Sequence, residues 1–292
     1  MYKKMFEDRK LGLGHVTILV CLIVFAVATS AIAKDQDGLL KIYFLDVGQG
    51  DAELIVTPSG QQILIDGGPT NEIVGELGEI MPFYDSTLDM ILVSHKHDDH
   101  ISGLMGVLDK YTVNEIVDTN RNFDTAGAKE WQIKKEFEGA KLINTKAGDE
   151  FVFEDGVKIT ILYPDTAADN YVTKNPNNDS IVAMLEYGNL KVLFVGDAES
   201  SVEKQILNQK IDIDADVLKV GHHGSKTSST LSFLNAVSPS VGVIEVGAKN
   251  KYGLPSDVIL SRLESFPIKY YRTDVDGTVE LSSDGNSLEI TK

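Results

Sequence analysis

Among 292 residues there is a single cysteine, Cys21, and it lies inside an apolar stretch near the start of the chain. No intrachain disulfide can form and no cluster of thiolates can hold a metal. Stability must therefore come from a hydrophobic core, and any metal must be bound through nitrogen and oxygen. Cations are also in short supply: 27 Lys and Arg face 44 Asp and Glu, giving a formal net charge of -17. Such a surface repels nucleic acid and anionic lipid unless a local patch or bound cations reverse the field, which excludes a general polyanion binder. Residues 38–292 contain no repeat, no low-complexity linker and no shift in composition. With 42% hydrophobic and 24% charged residues, they read as one compact domain.

The first 33 residues stand apart. Lys3, Lys4, Arg9 and Lys10 precede an apolar run from Val16 to Ala28, and Ala31-Ile32-Ala33 precedes Lys34-Asp35. This order of basic, apolar and small residues is that of a secretory signal peptide. Residues 16–33 also approach the roughly 18 residues with which a helix begins to span a bilayer, so an uncleaved membrane anchor is the competing reading. The shortness of the apolar part favours cleavage. Both readings place residues 34–292 outside the cytoplasm, either secreted or held on the outer face of the cell membrane. The residues before Cys21 lack the small side chain that a lipid-modified cysteine requires. Removing residues 1–33 takes away four bases and two acids, moving the net charge from -17 to -19.

Beyond residue 38, short apolar runs alternate with turn signals. Strands are expected at 40–45, 52–56, 62–65, 90–93, 115–117, 141–143, 157–162, 180–187, 192–195, 217–220, 241–246, 269–271, 279–281 and 288–290. Helices are expected at 71–84, 101–109, 126–138, 199–209, 230–237 and 256–264. Gly75, Gly78 and Pro82 argue against the first of these helices running its full length. Strands with helices spaced among them predict an α+β domain of layered sheets and helices.

Five of the six histidines fall into two clusters, His95-Lys96-His97-Asp98-Asp99-His100 and His222-His223. Each cluster follows an apolar, strand-like run (Ile91-Leu92-Val93 and Val217-Leu218-Lys219-Val220), where functional loops are usually built. Asp197 ends a third such run. Imidazole and carboxylate donors without thiolate suit zinc or manganese. His95 and His97, two apart on an extended segment, can face one ion, while Asp99 and His100 in the following turn grip a second and Asp197 bridges them. Two ions about 3.5 to 4 Å apart can activate a water and clamp a leaving oxygen. A solvated histidine-rich loop is the alternative.

The run from Ser94 to His100 matches the HxHxDH signature of the metallo-β-lactamase fold superfamily. The chain more specifically resembles the extracytoplasmic metallo-β-lactamase-like domain of ComEC-type competence proteins, which act in DNA uptake. That resemblance is carried by Asp46-Val47-Gly48-Gln49-Gly50-Asp51-Ala52, Ile65-Asp66-Gly67-Gly68, Asn178-Asp179-Ser180, Phe194-Val195-Gly196-Asp197, Lys219-Val220-Gly221-His222-His223-Gly224-Ser225, Asn250-Lys251-Tyr252-Gly253-Leu254-Pro255 and Thr273-Asp274-Val275-Asp276-Gly277-Thr278. It implies a four-layered αββα sandwich with two divalent metals at one edge, zinc first and manganese second. His95 and His97 would hold one metal, Asp99, His100 and His222 the other, and Asp197 would bridge. Asp66 would orient the ligand loop. Asp99, Asp197 and His223 would serve catalysis, with His223 assisting substrate or proton transfer. Asn178, Ser180, Ser225 and Lys226 would meet the substrate. Sequence alone leaves the order of His222 and His223 open.

Two departures accompany the resemblance. No histidine lies between His100 and His222, where most two-metal members have one, so the first metal could be completed by Asp179 or water, or be absent. Leu254 stands where related domains often carry histidine. Several stretches have plainer readings: Gly48-Gln49-Gly50-Asp51 as a tight turn, and Ser229 or Thr230 as a helix cap in place of a phosphate loop. Tyr270 and Tyr271 read as strand residues.

Three functions remain in competition at this level. The first is an exported metal-dependent phosphodiesterase or nuclease acting on DNA, for which Lys219, Lys226, Lys249, Lys251 and Arg272 would form a basic rim. The second is a hydrolase of a small or cell-wall-linked phosphodiester, a lactone or a β-lactam. The third is a non-catalytic binding module whose metal only stabilises the fold.

Overall fold

The computed structural model describes residues 17–18, 37–121, 123–166 and 175–292. The expected signal or anchor in residues 1–33 thus lies, apart from Thr17 and Ile18, outside the described residues. Among those described, no helix is long and apolar enough to cross a membrane. Residues Gly38–Lys292 cluster as one unit.

Two mixed sheets make up the centre of that unit. The first has eight strands, β1 (Leu40–Phe44), β2 (Glu53–Val56), β3 (Gln62–Ile65), β4 (Thr87–Leu92), β5 (Thr112–Asp118), β6 (Lys141–Asn144), β14 (Val279–Ser283) and β15 (Leu288–Thr291), in the order β15-β14-β1-β2-β3-β4-β5-β6. The second has seven, β7 (Glu150–Val152), β8 (Lys158–Tyr163), β9 (Val182–Tyr187), β10 (Leu190–Phe194), β11 (Val217–Lys219), β12 (Val241–Ile244) and β13 (Lys269–Arg272), in the order β13-β12-β11-β10-β9-β8-β7. Each sheet is antiparallel on one side and turns parallel on the other, at β3-β4 in the first and at β10-β11 in the second. Parallel strands need crossover connections, and the helices supply them.

Burial follows position in the sheets. β1 and β8 alternate buried and half-buried residues, whereas β3, β11 and β12 are buried along their whole length. A strand covered on one face by the other sheet and on its second face by helices has no solvent side, and its sequence is predominantly apolar, with Gln62 in β3 and Lys219 in β11 as buried exceptions. The inner core joins Ile42, Phe44, Ile63 and Leu92 of the first sheet to Ile159, Leu185, Val192 and Val217 of the second. Outside the first sheet, α1 (Glu72–Ile80), α3 (Leu104–Lys110) and α4 (Ala126–Phe137) bury Ile73, Leu77, Leu104 and Trp131 against Leu64, Ile91 and Ile116. Outside the second, α5 (Ser200–Gln209), α6 (Leu231–Val237) and α7 (Asp257–Glu264) bury Val202, Ile206, Phe233 and Ile259 against Leu193, Leu218 and Ile244. The layers run α, β, β, α, as the resemblance implies.

Most expected elements are present, with three differences. The helix expected at 71–84 stops at Ile80, because Pro82 holds Met81 in an extended conformation (φ -75°, ψ 144°). The helix expected at 101–109 is two pieces, α2 (Asp98–Ile101) and α3, parted at Gly103. There the backbone presses so closely on the loop after β3 that a Cβ on Gly103 would stand 2.0 Å from the Gly67 carbonyl oxygen. The edge strand β7 and the one-turn helix α8 (Thr273–Asp276) had no distinct sequence signal.

Trp131 is fully buried, and its indole Nε1 donates to Asp118 Oδ2 at 3.3 Å. Trp131→Ala removes both the packing and the donor. Urea denaturation should show a loss of about 3–5 kcal/mol, and a loss under 1 kcal/mol would contradict this account of the outer layer.

Candidate metal centre

The functional side chains leave the carboxyl ends of strands from both sheets. His95 and His97 follow β4, Asp66 follows β3, Asp197 follows β10, His222 and His223 follow β11, and Glu245 follows β12. Extended backbone after β4 sends alternate side chains to opposite sides. Lys96 turns inward, where its buried Nζ donates to the carbonyls of Thr119 (2.6 Å) and Arg121 (2.7 Å) and pairs with Asp118 at 3.6 Å. His95 and His97 turn the other way, with His95 Nε2 3.0 Å from His97 Nδ1. Phe123 packs edge-on against the His97 ring, 5.4 Å between centroids. Burial, aided by the neighbouring His100, holds His95 well below the ordinary imidazole range, and burial lowers His97 as well. Both are thereby kept as neutral rings, the form that ligates.

Helix α2 then carries Asp99 and His100 back to the same cavity. Its approach is set by Gly50, where a Cβ would stand 2.1 Å from the Asp99 carbonyl oxygen. His100 Nδ1 donates to Asp66 Oδ2 at 2.7 Å, and Asp66 Oδ1 accepts the Ser94 amide at 2.8 Å. That bond leaves His100 Nε2 facing Asp197 Oδ2 at 3.5 Å and Asp99 Oδ1 at 4.0 Å. His223 repeats the device. Its Nδ1 lies 3.0 Å from both the Glu245 carbonyl and Asp51 Oδ1, and its Nε2 faces Asp99 Oδ2 at 3.4 Å and Asp197 Oδ1 at 3.6 Å. Nδ1 bound to an outer oxygen and Nε2 aimed inward is how metal-binding imidazoles are usually oriented.

The two histidines after β11 reach different places because both adopt left-handed backbone, φ 51° at His222 and 52° at His223. Two adjacent non-glycine residues in that region carry strain, which persists where the surroundings demand it. His223 is buried behind Asp197. His222 stays near the mouth, its Nε2 3.6 Å from Asp197 Oδ2 and its ring 3.4 Å from Asn177 Nδ2. His95 Nε2 is 3.9 Å from the same Asp197 oxygen. Two donor groups result, His95 with His97 and Asp99 with His100 and His223, and Asp197 lies between them, Oδ2 facing His95 and His100 and Oδ1 facing His223.

A cation fits these donors. His100 Nε2, His223 Nε2 and Asp197 Oδ1 are buried and have no hydrogen-bond partner, yet all point into one small space. Burial opposes the charged form of His223, but Asp197 and Asp51 outweigh it and push the ring up to about 10. Burial likewise opposes ionisation of Asp99, and the nearby His223 and His100 outweigh it, bringing it down to about 2. The excess of carboxylate is thus large enough to hold protons on imidazoles that would otherwise be free. Divalent cations relieve the same imbalance.

The structure rearranges several expectations. His222 does not join Asp99 and His100; His223 occupies that place, because only its ring reaches back between Asp51 and Asp99. Ser180 is no substrate contact: it is fully buried and its Oγ accepts the Asp197 amide at 3.1 Å. Asn178 Oδ1 accepts the Ser201 hydroxyl at 2.8 Å, and Ser225 pairs with Thr227 at 3.0 Å, which leaves Lys226 as the exposed member of that set. Asp179 Oδ1 lies against the Arg121 guanidinium. Thr230 caps α6, accepting the Phe233 amide at 3.4 Å. Of the imagined basic rim, Lys219 is buried against Asp51, and Arg272 is tied to Asp274 at 2.7 Å. Asp51 is the residue that sequence reading undervalued, a turn aspartate by pattern and the partner of His223 and Lys219 in fact.

Residues 45–247 match the family model described as the metallo-beta-lactamase superfamily. The chain is 30% identical to ComE operon protein 3 of Bacillus subtilis strain 168, over 94% of this chain and 37% of that protein. It is 29% identical to competence protein ComA of Neisseria gonorrhoeae, over 80% of this chain and 31% of that protein. The chain thus spans about a third of the length of these relatives. Among solved structures, the metallo-beta-lactamase fold protein YhfI of Bacillus subtilis superposes with a TM-score of 0.53 at 12% identity, over 80% of this chain and 96% of that one.

Elemental analysis of protein purified with zinc or manganese should find about two divalent ions per chain. Loading them should raise the melting temperature by about 10 °C, which corresponds to roughly 4 kcal/mol from a ligand at 1,000 times its Kd, and chelation should reverse it. Asp66→Asn places an amide donor against His100 Nδ1, so affinity for one of the two ions should fall about 10- to 100-fold by competition with a chromogenic chelator. An unchanged affinity would show that Asp66 does not orient His100.

Proposed function

The chain belongs to the metallo-β-lactamase superfamily, and from that premise we propose that it is an extracytoplasmic, metal-dependent phosphodiesterase acting on DNA. The observation that carries the reading is the single buried carboxylate of Asp197, which stands between two imidazole-containing donor groups, its Oδ2 facing His95, His100 and His222 and its Oδ1 facing His223. The likeness to competence proteins supports nucleic acid as substrate. His95, His97 and Asp197 would hold one cation, with His222 standing in for the histidine missing between His100 and His222; Asp99, His100, His223 and Asp197 would hold the other. Divalent cations held there would supply an activated water and neutralise charge at the leaving oxygen.

The protein's own residues set the stage for that chemistry. Asp66 and Asp51 fix the ring planes of His100 and His223 from behind. Ser180 and the turn after β10 hold Asp197 through its main chain, so that both carboxylate oxygens remain free for the centre. Asp99, with a third of its side chain exposed, reaches solvent and marks a side from which substrate arrives. Buried walls elsewhere exclude water from the back of the site, where fixed dipoles act most strongly.

The net charge of -17 favours a second reading, a small phosphodiester as substrate, because a small ligand needs no basic track. Plasmid DNA, bis(p-nitrophenyl) phosphate and nitrocefin separate the alternatives. The loaded protein should hydrolyse the phosphodiesters and leave nitrocefin intact. His97→Ala and His223→Ala should each lower kcat/KM for bis(p-nitrophenyl) phosphate on the order of 10²-fold or more, reflecting the several kcal/mol that a bound ion supplies. Protein carrying two ions that turns over no phosphodiester would overturn the catalytic reading and leave a metal-stabilised binding module.

A further inference from the structure

A groove of about 440 Å³ opens beside Asp99, lined also by Gln49, Pro69, Lys249, Lys251 and Tyr252. Lys249 and Lys251 are exposed, and among the described residues neither forms a salt bridge. Some lysines of this acidic protein do, among them Lys134, Lys141, Lys158, Lys191 and Lys292, whereas Lys226 is a further exposed lysine without one among the described residues. Two lysines sharing this groove with Asp98 and Asp99 bring its lining to an even balance of charge in a protein whose net charge is -17.

The segment bearing them is braced. Asn250, between the two lysines, donates from Nδ2 to the carbonyls of Gly247 (2.9 Å) and Leu254 (2.7 Å) and accepts at Oδ1 from the amides of Tyr252 (3.1 Å) and Leu254 (3.0 Å). A loop fixed in this way loses less freedom when a ligand arrives. Tyr252 is 61% exposed, and Lys251 Nζ stands 5.2 Å from its ring centroid. Asp98 also lines the groove, but its carboxylate packs on Gly127, where a Cβ would stand 2.2 Å from Oδ1.

We propose that this groove is the subsite for a single-stranded nucleic acid segment flanking the scissile linkage, with Lys249 and Lys251 on backbone phosphates and Tyr252 stacked on an unpaired base. Cations that track a backbone beside an exposed aromatic ring are the means by which single strands are held without sequence preference. A duplex offers the ring no free base face. The proposal rests on the phosphodiesterase reading above and specifies its substrate.

The test is fluorescence anisotropy of a fluorescein-labelled single-stranded oligothymidylate with the manganese-loaded full chain, from about 50 to 200 mM salt. Lys249→Glu/Lys251→Glu should weaken binding at least tenfold at the lower salt and reduce the slope of log K against log salt by about one to two. Tyr252→Ala should weaken binding about tenfold and leave the slope unchanged. Metal content and melting temperature show whether each variant is folded, and Lys249→Arg/Lys251→Arg should restore binding. Parent-like affinity and slope in both the charge-reversal and tyrosine variants would overturn the groove, as would a parent that binds no oligonucleotide at about 50 mM salt. Turnover of bis(p-nitrophenyl) phosphate by the parent is read separately: its absence counts against hydrolysis, whereas binding that ignores the lysines counts against the groove alone.

Discussion

Around the carboxylate of Asp197, almost completely buried, the imidazoles of His95, His100, His222 and His223 each approach within 3.9 Å. An arrangement of this kind has no place in a core built for packing alone, because desolvated charge costs several kcal/mol per ion unless it is compensated. It exists here because strands from two separate sheets end at the same edge. β4 contributes one pair of histidines, β10 the aspartate and β11 the second pair, so that the inter-sheet core holds the geometry of the centre. A shift of either sheet would separate the donors before it exposed any hydrophobic surface.

Charge behind the centre is arranged with the same economy of partners. Asp51 lies between His223 and Lys219, and Glu53 and Glu245 lie close behind it, all buried. Burial disfavours ionisation of Glu245, the nearby Asp51 adds to the effect, and its carboxyl is pushed up to about 7. Lys219 is held above the ordinary lysine range, since attraction to Asp51 and Glu245 exceeds the cost of its burial. One lysine thus fixes the carboxylate that fixes the histidine. Removing one partner of such a pair leaves an uncompensated charge, which makes Lys219 part of the centre although it touches none of the donor nitrogens.

The sheets were legible because the physics that builds them is local. Short apolar runs that end at an acidic residue or a glycine mark β3, before Asp66, β10, before Gly196-Asp197, and β12, before Glu245, whatever surrounds them. The donor set was legible for a related reason: two clusters of histidine at strand ends have few other uses. What the chain did not disclose are properties of approach and direction. Nothing in a His-His pair says which ring turns inward; the left-handed backbone at both positions decides it, and that depends on the turn from Val220 to Ser225. Ser180 and Lys219 had the chemistry of contact residues and were misplaced because burial is a tertiary property. The break at Gly103 likewise reflects another loop pressing against it and no weakness in the helical pattern.

An acidic protein and a polyanionic substrate conflict only if charge is counted over the whole surface. Salt screens exposed charges over about 8–10 Å, so a strand in the proposed groove would sense chiefly Lys249, Lys251, Asp98, Asp99 and any cations held at the centre, while carboxylates on the far side of the molecule matter little. Four carboxylates meet at the centre, Asp51, Asp66, Asp99 and Asp197, balanced in part by Lys219 and by the raised imidazoles of His100 and His223. On the proposed reading, binding metal would do two things at one edge of the fold: it would take over from protons the balancing of the buried carboxylates, and it would make that edge more favourable to phosphate.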